Sequence, residues 1–297
     1  MSKILITGSS GFIGKAACGY FKEKGYEVCR LVRTPQQKAP DTIYWNPINE
    51  EIHLDDLEGL YGVINLAGEN ITQGRWSEKK KESIFLSRVR HTWLLSHALS
   101  RLKRPPKVFF SASAVGFYGH RGDEILTEES RRGKGFLADV CAKWEEAPLI
   151  LEQMKVRVIR GRLGVVLDPK GGFLQKILPV FRWGLGGKIG DGKQWISWIA
   201  LTDVLRAVEF VLNQKELKGL VNVTSPHPVT NAEFTRLLAA AVHRPALVPV
   251  PAWLLKMVYG EMAKELMLAS ERVLPKRLEM SGFVFETPKL DQLLSSC

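Results

Sequence analysis

The chain has 297 residues, 45% of them hydrophobic, which is enough to bury a large core in one big domain or two closely packed ones. Its formal net charge is +11, but Lys and Arg are spread along the sequence, so we predict no nucleic-acid partner. No apolar run suits a signal peptide or a membrane span, and the cysteines and histidines show no metal or disulfide spacing. We expect a cytoplasmic monomer or homodimer without a metal site or a membrane partner.

Short apolar runs alternate with longer periodic segments over the first 160 residues. The runs predict strands at Lys3 to Thr7, Glu27 to Val32, Gly62 to Leu66, Lys107 to Ser111 and Val156 to Arg160. The segments between them predict helices at Phe12 to Lys24, Ser77 to Leu102 and Phe136 to Met154. This order predicts an α/β fold of the Rossmann type, in which helices cover a doubly wound parallel sheet.

After about Leu167 the sequence becomes rich in glycine and aromatic residues. Further elements are predicted: a helix over Leu201 to Asn213 capped by Thr202 or Asp203, a strand over Leu220 to Val223 and a helix from Asn231. We therefore divide the chain into a nucleotide-binding domain, residues 1–165, and a substrate-side region, residues 166–297. The latter ends in a small helical domain at about 245–297.

The segment TGSSGFIG joins the first strand to the first helix. A strand that ends in glycines and opens into a helix directs backbone N–H groups and the positive end of the helix dipole at one point, which suits a pyrophosphate. Gly8 permits the tight turn, Gly11 lets the phosphate approach the backbone, and Gly14 lets the helix pack on the sheet. The pattern favours a dinucleotide over a generic turn.

Arg33 follows the second strand, at the position where an acidic residue would bind the adenosine ribose of NAD(H). A carboxylate would repel a 2'-phosphate, whereas a guanidinium can hold it with charge-assisted hydrogen bonds. The sequence therefore favours NADP(H). The alternative is that Arg33 is only an exposed loop charge.

The chain resembles the extended short-chain dehydrogenases/reductases, the group that includes the nucleotide-sugar epimerases, in its TGxxGxxG turn, its "NLAG" and its strand "FFSASAVGFYG". The segments "YWNP", "LSRVRHT", "KWEEA", "GLGGKIGDGKQWISWI" and "GEMAKELMLASERVLP" are similar to a narrower branch, the YfcH-type epimerase-family proteins. The resemblance implies that the cofactor is bound by Gly8, Gly11, Phe12, Ile13, Gly14, Val32, Arg33, Leu66, Ala67, Gly68, Arg88 and Val166. For Arg88 the alternative is an ordinary charge on a helix surface.

The catalytic residues implied by the resemblance are incomplete. Ser113 matches the family's serine and Lys143 its lysine, but Asp139 stands where the tyrosine is expected, four residues before the lysine. An aspartate acting as an acid near pH 7 would need its pKa raised by about three units, which costs roughly 4 kcal/mol. A neighbouring lysine shifts it the other way. We therefore interpret Asp139 as a carboxylate on the helix surface or paired with Lys143.

Tyr118 is the nearest phenol to Ser113, and we consider it as proton donor, with packing against the glycine-rich segment as the alternative. The predicted substrate wall combines polar groups with flat apolar faces, at Gln194, Trp195, Ser197 and Trp198. Alternation there would also suit a half-buried strand. Glu69, directly after "NLAG", is a further candidate for the substrate site or for an acid or base.

Two functions remain open at this point. The first is an NADP(H)-dependent oxidoreductase or epimerase acting on a small carbonyl or sugar-like compound. The second is a non-catalytic NADP(H)-binding protein that senses the cofactor pool or docks a partner, because the cofactor pattern is complete and the tyrosine is missing.

Overall fold

The computed structural model describes residues 2–34, 39–47, 49 and 51–297. Its strands, in chain order, are β1 (Lys3–Thr7), β2 (Glu27–Val32), β3 (Thr42–Asn46), β4 (Glu51–Ile52), β5 (Gly62–Asn65), β6 (Val108–Ala114), β7 (Ile125–Leu126), β8 (Arg157–Leu163), β9 (Val165–Asp168), β10 (Trp195–Ile196), β11 (Trp198–Ala200), β12 (Gly219–Val223), β13 (Val229–Thr230) and β14 (Arg272–Val273). All five strands predicted in the first 160 residues are present, with shifts of one to three residues at some ends.

A central sheet in the order β12-β8-β6-β5-β1-β2-β3-β4 organises the molecule. Seven of its strands are parallel, and β4 pairs with β3 in the antiparallel direction at one edge. The inner strands are buried on both faces, as β5 shows over its whole length, because helices cover a parallel sheet on both sides. The Rossmann-type α/β prediction is confirmed.

The helices are α1 (Phe12–Glu23), α2 (Glu78–Phe85), α3 (His91–Ser100), α4 (Phe136–Glu146), α5 (Ile150–Gln153), α6 (Gly172–Arg182), α7 (Leu201–Asn213), α8 (Asn231–Ala241), α9 (Ala252–Tyr259), α10 (Lys276–Met280) and α11 (Leu290–Leu294). The helix predicted from Ser77 to Leu102 is interrupted by one π-helical turn, Leu86–Arg90, so its register changes between α2 and α3. The segment predicted from Phe136 to Met154 divides into α4 and α5.

One prediction about a helix cap is wrong. The residue before α7 is Ala200, and no side chain caps that helix. Asp203 is fully buried instead, and its carboxylate accepts hydrogen bonds from the backbone N–H groups of Glu286 and Thr287, both at 2.8 Å. The Asp203 side chain therefore ties α7 to the C-terminal segment, which a sequence window around the helix could not reveal.

Two apolar layers sandwich the sheet. One contains Phe21 of α1 and Val208 of α7, and the other contains Leu95 of α3 and Leu151 of α5. A third cluster, with Trp198 at its centre, holds the region after Leu167 together. Residues 166–297, predicted as the substrate side, also contribute β12 to the central sheet, so the two predicted parts share one architecture.

The described part of the chain contains no helix that is both long and apolar enough to cross a membrane. Within the same residues, no group of three or more His, Cys, Asp or Glu side chains is arranged to hold a metal ion. All four cysteines are free thiols.

Candidate functional site

The glycine turn after β1 closes against the neighbouring strand end. Gly8 has a φ of +64°, and a Cβ built on it would lie 2.7 Å from the carbonyl oxygen of Leu66. A Cβ on Gly14 would lie 2.1 Å from the carbonyl oxygen of Gly8. Gly11 caps α1 in an extended conformation, so the first N–H groups of the helix, from Phe12 onward, face the turn without partners inside the helix. This geometry fits a pyrophosphate at the helix N-terminus.

The aromatic ring of Phe12 has a second contact that the sequence does not indicate. A Cβ on Gly171 would lie 2.4 Å from the Phe12 ring, and one on Gly172 would lie 2.8 Å from it. The ring thus packs on the segment that joins β9 to α6. This contact connects the glycine turn to the region after Leu167.

Positive charge gathers beyond the end of β2. Val32 is buried and Arg33 is exposed. Burial, together with the charges of Arg33 and Arg90, lowers the pKa of His91 to about 4. Arg33, Arg90 and the start of α3 therefore share one neighbourhood, next to the ring of Trp45, which is 5.8 Å from the ring of His91. An anionic group such as a 2'-phosphate would be stabilised there.

Arg88 lies beneath the "NLAG" loop rather than on an open helix surface. Its Nη2 donates to the carbonyl oxygen of Glu69 at 2.9 Å, and its guanidinium is 5.3 Å from the ring of Trp144. A Cβ on Gly68 would lie 3.1 Å from the guanidinium carbon, so only glycine leaves this approach open. Burial lowers the Arg88 pKa, and Arg88 forms no ion pair with any described residue. The π-helical turn sets its direction.

The expected catalytic residues Ser113 and Tyr118 are parts of one buried network. Ser113 Oγ donates to Glu145 Oε1 at 2.7 Å, and Arg162 binds both oxygens of Glu145 at 2.7 and 2.8 Å. Arg162 Nη1 also donates to the Tyr118 hydroxyl at 2.9 Å, while Asn222 Oδ1 lies 2.7 Å from that hydroxyl. The network joins β6, α4, β8 and β12 at their carboxyl ends.

Tyr118 is fully buried, which differs from the open pocket expected for a proton donor. Burial raises the pKa of Tyr118 to about 12, although Arg162 and Asn222 partly oppose this shift. Its hydroxyl is also 2.9 Å from the Thr127 carbonyl, so each of its hydrogen-bonding positions has a protein partner. The alternative of a packing role for Tyr118 therefore agrees better with the structure.

The side chains of Asp139 and Lys143 both lie on the exposed face of α4. Asp139 pairs with Arg132 at 3.0 Å, and not with Lys143. The buried face of α4 carries Leu137, Ala138 and Cys141 instead.

The predicted substrate wall divides into a rim and a core. Gln194 is nearly buried and donates to the carbonyl oxygens of Ile189 and Met267, both at 3.2 Å. Trp195 is half-buried, and its indole donates to Asp123 at 2.8 Å while Arg272 stacks on its ring. Ser197 and Trp198 are buried, with protein partners for the Ser197 hydroxyl and the Trp198 indole, so they support the wall from behind.

The remaining predicted positions have ordinary surroundings. Val166 lies in β9 at the edge of the main core and is partly buried. The N–H of Ala67 donates to Thr7 Oγ1 at 3.1 Å, which fixes the strand end. Glu69 is partly exposed and pairs with Lys80 at 2.6 Å.

Two acidic residues of the C-terminal segment were missed by the sequence analysis. Glu265 accepts hydrogen bonds from the backbone N–H groups of Phe136 and Leu137, both at 2.8 Å, and so caps α4 across 129 and 128 residues of chain. Glu271 is partly buried and follows it by six residues. Only their position in "GEMAKELMLASERVLP", one of the segments that carried the resemblance, pointed to them.

The fold and the glycine turn together define a nucleotide-binding α/β protein. A model of the NAD-dependent epimerase/dehydratase family matches residues 4–224, and a domain of unknown function, DUF1731, matches residues 250–297. The chain therefore belongs to the NAD-dependent epimerase/dehydratase family. This confirms the family predicted from the sequence, while the narrower YfcH-type branch stays a prediction.

Relatives cover nearly the whole chain. The epimerase family protein Mb2239 of Mycobacterium bovis is 39% identical over 98% of this chain and 96% of its own length. The mouse epimerase family protein SDR39U1 is 34% identical over 97% of both chains. The crystal structure of human SDR39U1 with NADPH has a TM-score of 0.88 and 30% identity, and covers 99% of this chain and 98% of that one.

Proposed function

We propose that this protein is an NADP(H)-dependent oxidoreductase or epimerase that acts on a small carbonyl or sugar-like compound. The observation that carries the proposal is the closed glycine turn at the start of α1, where a Cβ on Gly14 would overlap the Gly8 carbonyl. Such a turn leaves its backbone N–H groups open to a phosphate-rich ligand, and it has no room for a side chain at the glycine positions. The NADPH bound to human SDR39U1 supports the choice of cofactor.

The residues present divide the work of binding. Gly8, Gly11 and the N-terminus of α1 hold the pyrophosphate, and Val32 packs beside the adenosine. Arg33 holds the 2'-phosphate, in surroundings whose positive charge also helps to lower the pKa of His91. When bound, NADPH supplies a hydride to a carbonyl carbon, whose oxygen then takes a proton.

Arg88 takes the part that the family's lysine plays, as a fixed positive charge beside the loop at Gly68. One feature supports this: the partly buried Arg88 guanidinium donates to the carbonyl oxygens of Glu69 and Ile84, and it pairs with no carboxylate among the described residues. Ser113 and Tyr118 enter this proposal as residues that hold the strand ends in place through Glu145 and Arg162.

A second function, an NADP(H)-binding sensor without catalysis, is favoured by one observation. Of the three expected catalytic groups, Ser113 and Tyr118 are buried and hydrogen-bonded within the protein. Four free thiols suit the reducing cytoplasm for either function.

Cofactor titrations test the proposal. The wild type should bind NADPH at least about 10-fold more tightly than NADH, since one charge-assisted phosphate contact is worth about 1.5–3 kcal/mol. Arg33→Asp should abolish that preference. Arg101→Asp makes the same charge reversal at an exposed position after α3 and should keep it. Equal affinities of the wild type for both cofactors would contradict the proposal.

Turnover then separates an oxidoreductase from a sensor, while an epimerase, which returns the hydride to its substrate, is detected by interconversion of nucleotide-bound sugars. NADPH oxidation is followed at 340 nm with 9,10-phenanthrenequinone, small ketones and nucleotide-bound keto sugars as acceptors. An oxidoreductase consumes NADPH with at least one acceptor and loses this activity in Arg88→Met. A sensor binds NADPH with the predicted preference and oxidises it no faster than buffer does.

A further inference from the structure

Two segments in the second half of the chain combine positive charge with a lack of acidic residues. Residues 169–190 and 234–260 contain no Asp or Glu, and they carry seven Lys and Arg residues: Lys170, Lys176, Arg182, Lys188, Arg236, Arg244 and Lys256. Glu261, the acidic residue that follows the second segment, already forms an ion pair with Lys81. The positive charge of these segments is therefore not offset by carboxylates of their own.

The same two segments expose much of the apolar surface of the molecule. Of the fourteen large hydrophobic side chains that are exposed among the described residues, nine lie here: Phe173, Val180, Trp183, Leu185, Leu247, Val248, Trp253, Met257 and Val258. Trp183 is 81% exposed, Leu247 79% and Trp253 66%. The helix α9 has no buried residue, although Lys256 is the one charged residue in its sequence. A cluster of large exposed apolar side chains marks an interaction site.

Backbone hydrogen bonds join the two segments into one surface. The N–H of Val248 donates to the carbonyl oxygen of Gly186 at 3.1 Å. The N–H of Val250 donates to the carbonyl oxygen of Lys188, and the N–H of Gly190 donates to that of Val250, both at 2.9 Å. The helix α9 begins two residues after this pairing and adjoins it. We call the exposed side chains of residues 182–188, 236 and 244–257 the basic apolar face.

A depression of about 450 Å³ lies in the basic apolar face. The cations Lys188 and Arg236 line it together with apolar residues that include Ala246, Leu247 and Pro249, and no acidic side chain takes part in the lining. Neither cation has an ion pair or a side-chain hydrogen bond with any described residue. Two unpaired cations beside apolar groups suit a phosphate that is attached to a hydrocarbon part.

The distribution of charge decides which partner fits this face. Two copies of this chain that met through it would bring the same cations together, which disfavours a homodimer. Lysine is depleted in the centre of protein interfaces, whereas four of the seven cations here are lysines that lie between apolar residues. Tryptophan at headgroup level, with Lys and Arg beside apolar side chains, is typical of proteins that lie on a membrane surface.

We propose that the basic apolar face binds reversibly to the surface of a membrane that contains anionic lipids. Leu247 and Trp253 enter the boundary between headgroups and acyl chains, and Lys188 and Arg236 bind headgroup phosphates. The expectation of no membrane partner was based on the lack of a spanning segment in the sequence, which surface binding does not require. This inference is independent of the proposed function, because no cofactor takes part in it.

Sedimentation of the full chain with lipid vesicles tests the inference. The wild type should sediment with vesicles of phosphatidylglycerol and phosphatidylcholine but not with vesicles of phosphatidylcholine alone, because only the former carry negative charge. Lys188→Gln combined with Arg236→Gln should weaken binding about 30-fold, as expected for the loss of two cations near an anionic surface. Arg101→Gln combined with Lys103→Gln makes the same change at exposed positions after α3 and should weaken it less than about threefold.

A second pair of variants tests the apolar contribution. Leu247→Ser should weaken binding to the anionic vesicles about 10-fold, because it removes a large side chain that leaves water on binding. Met280→Ser, at a position of α10 that is 77% exposed but lies outside the two segments, should leave binding unchanged. Both positions are exposed, so both variants should keep the denaturation midpoint of the wild type.

Tryptophan fluorescence shows whether the face enters the lipid. Bromine atoms on the acyl chains quench nearby indole groups, so anionic vesicles of brominated lipid should quench the wild-type emission. The quenched fraction should fall in Trp183→Phe and in Trp253→Phe. Trp93→Phe removes an exposed indole of α3, outside the two segments, and should keep the full quenched signal.

Each result supports or overturns the inference. Binding to anionic vesicles that falls in the Leu247 and Lys188/Arg236 variants, and not in their controls, supports it. A wild type that does not sediment with these vesicles overturns it, and so does binding that Leu247→Ser leaves unchanged, since adsorption by charge alone would explain that result. A wild-type dimer that Leu247→Ser dissociates in analytical ultracentrifugation would show that a second copy covers the face, which also overturns it. The NADPH titrations are separate, so either proposal can fail without the other.

Discussion

The two ends of the proposed cofactor cleft, the pyrophosphate end at the glycine turn and the reaction end at the carboxyl end of β6, are built on different principles. At the pyrophosphate end, Gly8, Gly11 and Gly14 lie within seven consecutive residues and act through the backbone. At the reaction end, Ser113, Glu145 and Arg162 come from three separate elements and meet only in the folded protein. A short motif encodes the backbone geometry of the turn, whereas the side-chain network depends on residues that are far apart in the sequence and can be replaced one at a time. The cofactor is therefore easier to infer than the reaction.

The largest expected effect is at the reaction end, in the stability of its network. Glu145→Gln leaves the buried Arg162 guanidinium without its anionic partner, so the free energy of unfolding should fall by about 3–5 kcal/mol. Chemical denaturation measures this change. Glu146→Gln, at the exposed neighbouring position of α4, should leave stability within about 0.5 kcal/mol. Equal losses in both variants would show that the network is not what holds the strand ends.

Next in size is a change at the pyrophosphate end. Gly14→Ala places a methyl group 2.1 Å from the Gly8 carbonyl oxygen, so the turn must shift and NADPH affinity should fall about 100-fold, or about 2.7 kcal/mol. Calorimetric titration measures the affinity. Gly19→Ala lies in the same helix with no atom within 4 Å of the new methyl group, and it should leave affinity unchanged while stabilising α1 by up to about 1 kcal/mol. If Gly14→Ala bound NADPH with wild-type affinity, the glycine turn would not be part of the binding site.

The smallest effect concerns acid stability at the adenosine end. His91 has a pKa near 4 in the folded protein and 6.5 as its ordinary value, so below pH 6.5 the unfolded chain binds a proton that the folded one refuses. Stability should therefore fall as the pH drops from about 6.5 to 4, by about 1–2 kcal/mol after allowance for solvent screening. His91→Gln should flatten this part of the curve in unfolding experiments at pH 7.5 and 4.5. An unchanged slope would mean that burial and the charges of Arg33 and Arg90 do not lower the pKa of His91.

Sequence patterns were sufficient for six of the eight strands of the central sheet, the glycine turn and the family, because each depends on residues that are close in the chain, but β3 was not predicted. The positions of β1 and β2 matched the prediction from Lys3 to Thr7 and from Glu27 to Val32, since their apolar runs end at glycine or charged residues. The antiparallel edge strand β4 was missed because two residues carry no periodicity.

The site was predicted less completely, for a physical reason. Tyr118 meets Asn222 across 104 residues, and Glu265 meets Phe136 across 129, so no local spacing encodes either pair. The direction of Lys143 depended on the phase of α4, which a motif of four residues does not fix. One signal was available: β8 carries Arg157, Arg160 and Arg162 among apolar residues in the middle of a parallel sheet, and a buried charge requires a partner.

The cap that Glu265 places on α4 also orders events during synthesis. Phe136 is added to the growing chain 129 residues before Glu265, the residue that accepts its N–H hydrogen bond. This interval is roughly ten seconds at ordinary elongation rates. Until then the first turn of α4 lacks its long-range partner, the Glu265 carboxylate. The newborn protein can therefore form its glycine turn early, but the first turn of α4 gains its cap only after the C-terminal segment has been translated.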